Sequence, residues 1–340
     1  MREIICGDCL DIMRGMDDNS VDLIATDPPY YRVKNLAWDK QWDSADSFIA
    51  WIGKLCEQWQ RILKPNGSLY VFASPKMAAR VEIKMGEWFE VLNRIVWAKP
   101  PFSTKAEMSR KGDLRSFFPV TEYVFFAEHY GADSIAKGEA GYAAKCDELR
   151  GFLFEPLRAY LESERQRAGI SFEQVRQIVG CADGSGLPSH WFTKSQWMLP
   201  TAENYAKLQE GFRAMNHGGD YLRREHEDLR REYDYLRREY EDLRRPFAVT
   251  ADMPYTDVWD FATVQAYKGK HPCEKPLAMM RHIVKVSSKP GAVVLDCFCG
   301  SGNTLKAAQE LGREYIGIDI SERWYEVARE RLRVVQPTLI

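Results

Sequence analysis

Strand and helix signals alternate at both ends of this chain and fail in its middle, and that rhythm is what most constrains the fold. Near the start, Glu3–Cys6 and Asp22–Thr26 are short apolar runs that end in polar turns. Ser47–Leu63 carries Phe48, Trp51, Ile52, Leu55, Trp59 and Ile62 at helical spacing, and Lys64-Pro65-Asn66-Gly67 is expected to stop that helix. Ser68–Ala73, Val91–Trp97 and Glu122–Ala127 read as strands, with a short helix near Met77–Met85. Near the end, Ala292–Phe298 and Tyr315–Ile320 read as strands among the helices Leu277–Val286, Asn303–Leu311 and Glu322–Val334. Strands alternating with helices predict an α/β fold with a parallel, doubly wound sheet.

Residues 131–265 break the rhythm and read as an insertion between residues 1–130 and 266–340. Within it, Ser171–Gly180 followed by SHWFTKSQW is either a small helical DNA-reading unit or a plain structural helix. From Asp220 the chain repeats DYLRREH, EDLRREY, DYLRREY, EDLRRPF, placing Leu222, Leu229, Leu236 and Leu243 seven residues apart. The repeat predicts a helix over 220–245, about 39 Å long at 1.5 Å per residue. Its stripe, with His226, Tyr233 and Tyr240 at the second seam position, is either a homodimeric or antiparallel coiled-coil contact or one face of a solvated helix.

Composition narrows the class. Apolar residues make up 45% and aromatic ones 12%, enough for a substantial core. No apolar run spans a membrane, and MREIICGDCL has no signal-peptide core. Eight Cys without a regular framework suit a reducing cytosol. Cys6 and Cys9 have zinc-like spacing, but no second pair follows, so no metal is expected. The net charge of −2 is uninformative, but Lys99–Phe118 holds Lys99, Lys105, Arg110, Lys111 and Arg115 against two acids, a basic loop suited to phosphates.

Two turns carry the chemistry. Asp27-Pro28-Pro29-Tyr30 follows the strand DLIAT, at the end of a parallel strand where open α/β sheets bind ligands. Pro has no N–H, so the Asp27 carboxylate and the Pro28 carbonyl form two acceptors side by side, complementary to an exocyclic NH₂. Tyr30 offers a face for stacking a base; the alternative is an ordinary strand exit. The second turn, Asp296-Cys297-Phe298-Cys299-Gly300-Ser301-Gly302-Asn303-Thr304, opens a helix as nucleotide-binding turns do, and Asp319 follows 17–19 residues past the glycines, near the spacing of a ribose-binding acid.

Together with His271-Pro272-Cys273-Glu274-Lys275-Pro276, these motifs resemble the S-adenosylmethionine-dependent amino-methyltransferases of DNA. Their order resembles the circularly permuted β group, which implies a Rossmann-like methyltransferase sheet with an inserted, mainly helical target-recognition region. The resemblance implies that Asp27, Pro28, Pro29 and Tyr30 hold the target base, with Asp27 also beside the cofactor. It implies that Asp296, Phe298, Gly300, Ser301, Gly302, Asn303 and Thr304 form the cofactor loop and that Asp319 binds the ribose. Asp8 and Cys9 would meet the adenine of the cofactor, and His271, Lys275 and Pro276 its methionine end. Cys297, Asn303 and Tyr31 depart from the residues common in that family. Trp38-Asp39 would belong either to a loop closing over the base or to the core. The implied partner is double-stranded DNA, in the cytoplasm with the nucleoid. The implied reaction is methylation of adenine N6, because DPPY is mostly the adenine form, with N4-cytosine as the alternative.

Overall fold

The apolar runs at both ends of the chain meet in one sheet. The computed structural model describes residues 1–33, 40–99, 115, 117, 119–129, 151, 153–181, 187–194, 197–216, 218–250 and 253–333. Lys105, Arg110, Lys111, Trp38 and Asp39 therefore lie outside the described residues. In chain order, the strands are β1 (Arg2–Cys6), β2 (Val21–Thr26), β3 (Leu63–Ala73), β4 (Phe89–Ala98), β5 (Thr121–His129), β6 (Val258–Trp259), β7 (Val293–Asp296) and β8 (Glu314–Asp319). The helices are α1 (Cys9–Arg14), α2 (Ala45–Ile62), α3 (Ala78–Met85), α4 (Glu155–Arg167), α5 (Phe172–Val179), α6 (Ala202–Met215), α7 (His226–Leu243), α8 (Leu277–Ser287), α9 (Asn303–Glu310) and α10 (Glu322–Arg333).

The sheet order is β1-β8-β7-β2-β3-β5-β4-β6. It is mixed rather than wholly parallel, because β5 runs antiparallel to both β3 and β4. β4 and β5 pair over most of their length, from Phe89 opposite His129 to Ala98 opposite Thr121. One face packs on α1, α2 and α3 through residues such as Met13, Ile52, Trp59 and Val81. The other packs on α8, α9 and α10 through Met280, Ile283, Leu305 and Leu332. Helices on both faces explain why the strands read as continuous apolar runs. α2 ends at Ile62, just before Lys64–Gly67, as expected, and that stretch forms a bulge within β3: Val21 pairs with Leu63 but Leu23 with Ser68.

The chain clusters into two compact units, residues 1–130 with 245–340, and Gly131–Arg244. The sheet unit thus resumes at Arg245, earlier than the sequence suggested. The reason is that Arg245 donates to Glu128 at 2.7 Å, both side chains buried, and Ala248 N–H donates to the Val286 carbonyl.

In the second unit the heptad helix is shorter than expected. α7 starts at His226 because Leu222 takes a positive φ of 52°, and the chain before it is held by other groups. Tyr205 Oη donates to the Leu222 and Arg224 carbonyls, and Leu222 N–H donates to Glu164. The seam packs within its own unit. Leu229 and Tyr240 are buried in the unit's own core with Leu157, Leu161, Tyr205 and Phe212, and Tyr233 and Leu236 pack against it. Trp191 and Trp197 of the SHWFTKSQW stretch belong to the same core, with the Trp197 indole donating to the Trp191 carbonyl at 2.8 Å.

Candidate active site

β7 and β2 are adjacent, yet their chains depart in opposite directions: β7 continues to β8 on one side and β2 to β3 on the other. Such a reversal opens a crevice at the carboxyl ends of the strands. Both sequence motifs lie there. The Thr26 hydroxyl donates to Asp296 Oδ1 at 2.9 Å, and Cys297 N–H donates back to Thr26 Oγ1 at 3.1 Å. Phe298 N–H and Thr304 Oγ1 also donate to Asp296, at 3.1 and 2.6 Å. Burial raises the Asp296 carboxyl to about 6 despite these donors. Asp296 thus acts as the internal anchor of the glycine turn.

The turn itself needs its glycines. Gly300 has φ +50° and Gly302 φ +82°, and a Cβ on Gly300 would stand 3.2 Å from the His271 ring. Asp319 accepts from Gly300 N–H at 2.9 Å and from Ser321 N–H at 2.8 Å, which brings the end of β8 beside the turn. Burial raises its carboxyl above the ordinary range.

At the end of β2, Asp27 Oδ2 accepts from Lys275 Nζ at 2.5 Å. Lys275 also lies 3.3 Å from Glu122 Oε2 and 3.4 Å from Tyr30 Oη, and Tyr30 Oη donates to Glu122 at 3.3 Å. Lys99 pairs with the other Glu122 oxygen. Asp27 Oδ1 is buried with no hydrogen-bond partner. Burial raises the Asp27 carboxyl, with Lys275 opposing it. Burial also presses on Glu122, but Lys275 and Lys99 outweigh it and hold that carboxyl low. Lys275 is disfavoured by burial and still held above its ordinary value by Asp27 and Glu122.

Asp27, Tyr30 and Lys275 join the glycine turn in lining one cavity of about 340 Å³. Of the residues expected to form the site, Asp8, Cys9, Asp27, Pro28, Pro29, Tyr30, His271, Lys275, Asp296, Phe298, Gly300, Ser301, Asn303, Thr304 and Asp319 line it. Pro276 and Gly302 are not part of the lining; Pro276 is the N-cap of α8 and Gly302 that of α9. Asp8 caps α1, accepting from Leu10 N–H at 2.8 Å. His271 meets Trp324 edge to face, and burial followed by the Lys275 charge pushes it down to about 4, which leaves a neutral imidazole. Lys99 turns toward Glu122, and Arg115 is exposed.

Sequence reasoning missed several lining and supporting residues. Trp51, Phe72, Ile320 and Trp324 add apolar walls. Arg331, on α10, donates to Glu274 at 2.9 Å, to Asn303 Oδ1 at 2.6 Å and to Ser301 Oγ at 3.2 Å. Asn303 Nδ2 in turn donates to the Lys275 carbonyl at 2.8 Å. The unusual Asn303 therefore clamps the segment before α8 onto the glycine turn. Glu122 carried one signal, a charged residue directly before the apolar run Tyr123–Ala127.

Among the described residues no group of three or more His, Cys, Asp or Glu is placed to hold a metal, and no helix is long and apolar enough to cross a membrane.

The DNA methylase family model, covering N6 and N4 methyltransferases, matches residues 21–330, and the chain belongs to that family. It is 24% identical to the DNA adenine methyltransferase YhdJ of Escherichia coli K12, over 98% of this chain and 83% of that one. It is 22% identical to the type II methyltransferase M.HinfI of Haemophilus influenzae, over 99% and 70%. Among solved structures, the complex of M1.HpyAVI with S-adenosylmethionine superposes with a TM-score of 0.52 at 18% identity, covering 98% of this chain and all of the other.

Proposed function

We propose that this chain transfers the methyl group of S-adenosylmethionine to the N6 amino group of adenine in double-stranded DNA. The observation that carries the reading is Asp27 Oδ1, a buried acceptor without a donor on a residue that lines the cavity. A buried polar atom left unpaired is costly, so a site that keeps one is suited to a ligand that donates to it.

The residues present fit the cofactor. The positive-φ glycines bring backbone close to the cavity, and Asp319 offers a carboxylate suited to ribose hydroxyls beside them. Asp8 and Cys9 line the part expected to meet the cofactor's adenine, and His271 with Trp324 walls another side. When bound, the cofactor supplies an electrophilic methyl on a sulfonium sulfur.

An adenine amino group is a poor nucleophile because its lone pair is delocalised into the ring. Asp27 Oδ1 and the Pro28 carbonyl would accept its two N–H bonds and localise that pair toward the methyl. The new N–C bond forms as the S–C bond breaks, and a proton then leaves the amine. Catalysis rests on positioning and on fixed charge. The amino group is inaccessible inside a duplex, so the base must be flipped out, with Tyr30 replacing its lost stacking. The unit Gly131–Arg244 is assigned to target recognition, the motif order to a circularly permuted chain, and the basic segment from Lys99 to Arg115 to phosphate contacts. Adenine is preferred over cytosine because of DPPY and the adenine specificity in YhdJ's name. The place of action would be the DNA of the cytoplasm.

The test is methyl transfer from labelled S-adenosylmethionine to duplex DNA, followed by nucleoside analysis. N6-methyladenine is expected. N4-methylcytosine would overturn the choice of base, and label confined to RNA or protein would overturn the substrate.

A further inference from the structure

The resemblance places Lys275 at the methionine end of the cofactor, but its ammonium is already engaged elsewhere. A lysine has three N–H donors. Here three oxygens of the protein surround Nζ: Asp27 Oδ2 at 2.5 Å, Glu122 Oε2 at 3.3 Å and Tyr30 Oη at 3.4 Å. The Lys275 side chain is only 9% exposed. The charges form an alternating row: Asp27, Lys275, Glu122, Lys99. Lys275 takes one oxygen of Asp27 and leaves the other, Oδ1, without a partner.

We propose that Lys275 is a positioning residue for methyl transfer: seated by Glu122 and Tyr30, it fixes Asp27 through Oδ2 and keeps Oδ1 a free, negatively charged acceptor for the target amine. This rests on the reading of Asp27 as the acceptor of that amine. The chemistry is one of balance. Burial favours the neutral carboxylic acid, and a neutral Asp27 would present an O–H donor where the amine needs an acceptor. Around Asp27 the charged or titratable neighbours are Glu122 on β5, Tyr30 on its own turn, Asp296 at the end of β7, and Lys275 and Cys273 before α8. Lys99 acts only through Glu122, and His271 is held neutral. Lys275 is thus the cation in direct contact with Asp27, and without it two carboxylates and a phenol would face one another.

The experiment measures kcat against pH on duplex DNA at saturating S-adenosylmethionine, with cofactor titration alongside, for wild type, Lys275→Met, Lys275→Gln and Lys275→Arg. In the Met variant, cofactor affinity is expected to persist while kcat at pH 7 falls about tenfold or more. The acid limb should move up by about one pH unit or more, so that activity recovers in alkali. The Gln variant should behave alike and replaces Met if Met does not fold. The Arg variant, which keeps the charge, should restore the limb. An acid limb left in place in the neutral variants would overturn the proposal. So would loss of cofactor binding without a shift, or a limb that Arg fails to restore. If wild type puts no methyl on adenine, the functional reading fails first. If wild type is active and the limb stays put, only the role of Lys275 fails.

Discussion

The Thr26 hydroxyl donates to the Asp296 carboxylate at 2.9 Å across the pair β2–β7. One hydrogen bond therefore joins the strand end that carries DPPY to the strand end that carries the glycine turn. Each residue stands at the last position of its strand, 270 positions apart in the chain.

That anchor has a pH signature. The Asp296 carboxyl is raised to about 6 in the folded chain, from an ordinary 3.8. Between these values the folded chain holds a proton that the unfolded chain has released. Asp296 therefore adds stability below pH 3.8 that is lost as pH rises through about 6. Full ionisation withdraws roughly 3 kcal/mol. Asp296→Asn removes this titration and also loses an acceptor, since the amide NH₂ cannot accept from Thr304. Urea unfolding of both proteins from pH 4 to 7 checks it. The stability difference between them should change with pH in that window and be flat above it. A constant difference would show that Asp296 does not titrate there.

Asp27→Ala should abolish methyl transfer while sparing the cofactor. Its free oxygen faces the expected amine, whereas the glycine turn is held by Asp296 and Asp319. Removing a preorganised group aimed at the reacting centre costs about a hundredfold or more in kcat. Cofactor titration and single-turnover transfer to duplex DNA separate the two effects. A variant with wild-type turnover would remove Asp27 from the chemistry.

Arg331→Met should loosen the cofactor site from a distance. The guanidinium joins Glu274, Asn303 and Ser301, and its loss leaves Glu274, whose side chain is 4% exposed, short of its cation. Losing a hydrogen bond to a charged group costs about 2 kcal/mol. Weaker cofactor binding with kcat retained at saturation is expected. A fall in kcat with unchanged affinity would place Arg331 in the chemical step instead.

The two motifs were legible because each is contiguous and each ends a strand, and strand ends at a chain reversal share one crevice. Glu122 was not legible as a partner of Lys275. It reaches the site only because β5 runs antiparallel, setting Glu122 opposite Trp97 at the end of β4, and that register has no local signature. Arg331 was hidden for a similar reason: its partners lie 28 to 57 positions away on other elements. Lys64–Gly67 does stop α2, as its Pro, Asn and Gly indicate, but that it lies inside β3 as a bulge was not legible, because the ladder resumes only beyond it.

The heptad stripe shows what periodicity leaves open. A row of Leu and Tyr at helical spacing says which face leaves water, not whose surface covers it. Here α7 turns that face to its own unit, with Leu229 fully buried and Tyr240 4% exposed, while Tyr235 on the other side is 54% exposed. Leu229→Ala should therefore destabilise the second unit by about 3 kcal/mol, the cost of a cavity in a packed core. Tyr235→Ala should change stability by no more than about 0.5 kcal/mol. A free coiled-coil arm would give the opposite pattern, in which Leu229→Ala lowers self-association and leaves unfolding alone. Hydrogen exchange across α4 to α7, with sedimentation of both variants, distinguishes them. Faster exchange throughout that unit in Leu229→Ala, at an unchanged sedimentation coefficient, is the expected result. Unchanged exchange with a smaller species would return α7 to the role of a dimer contact.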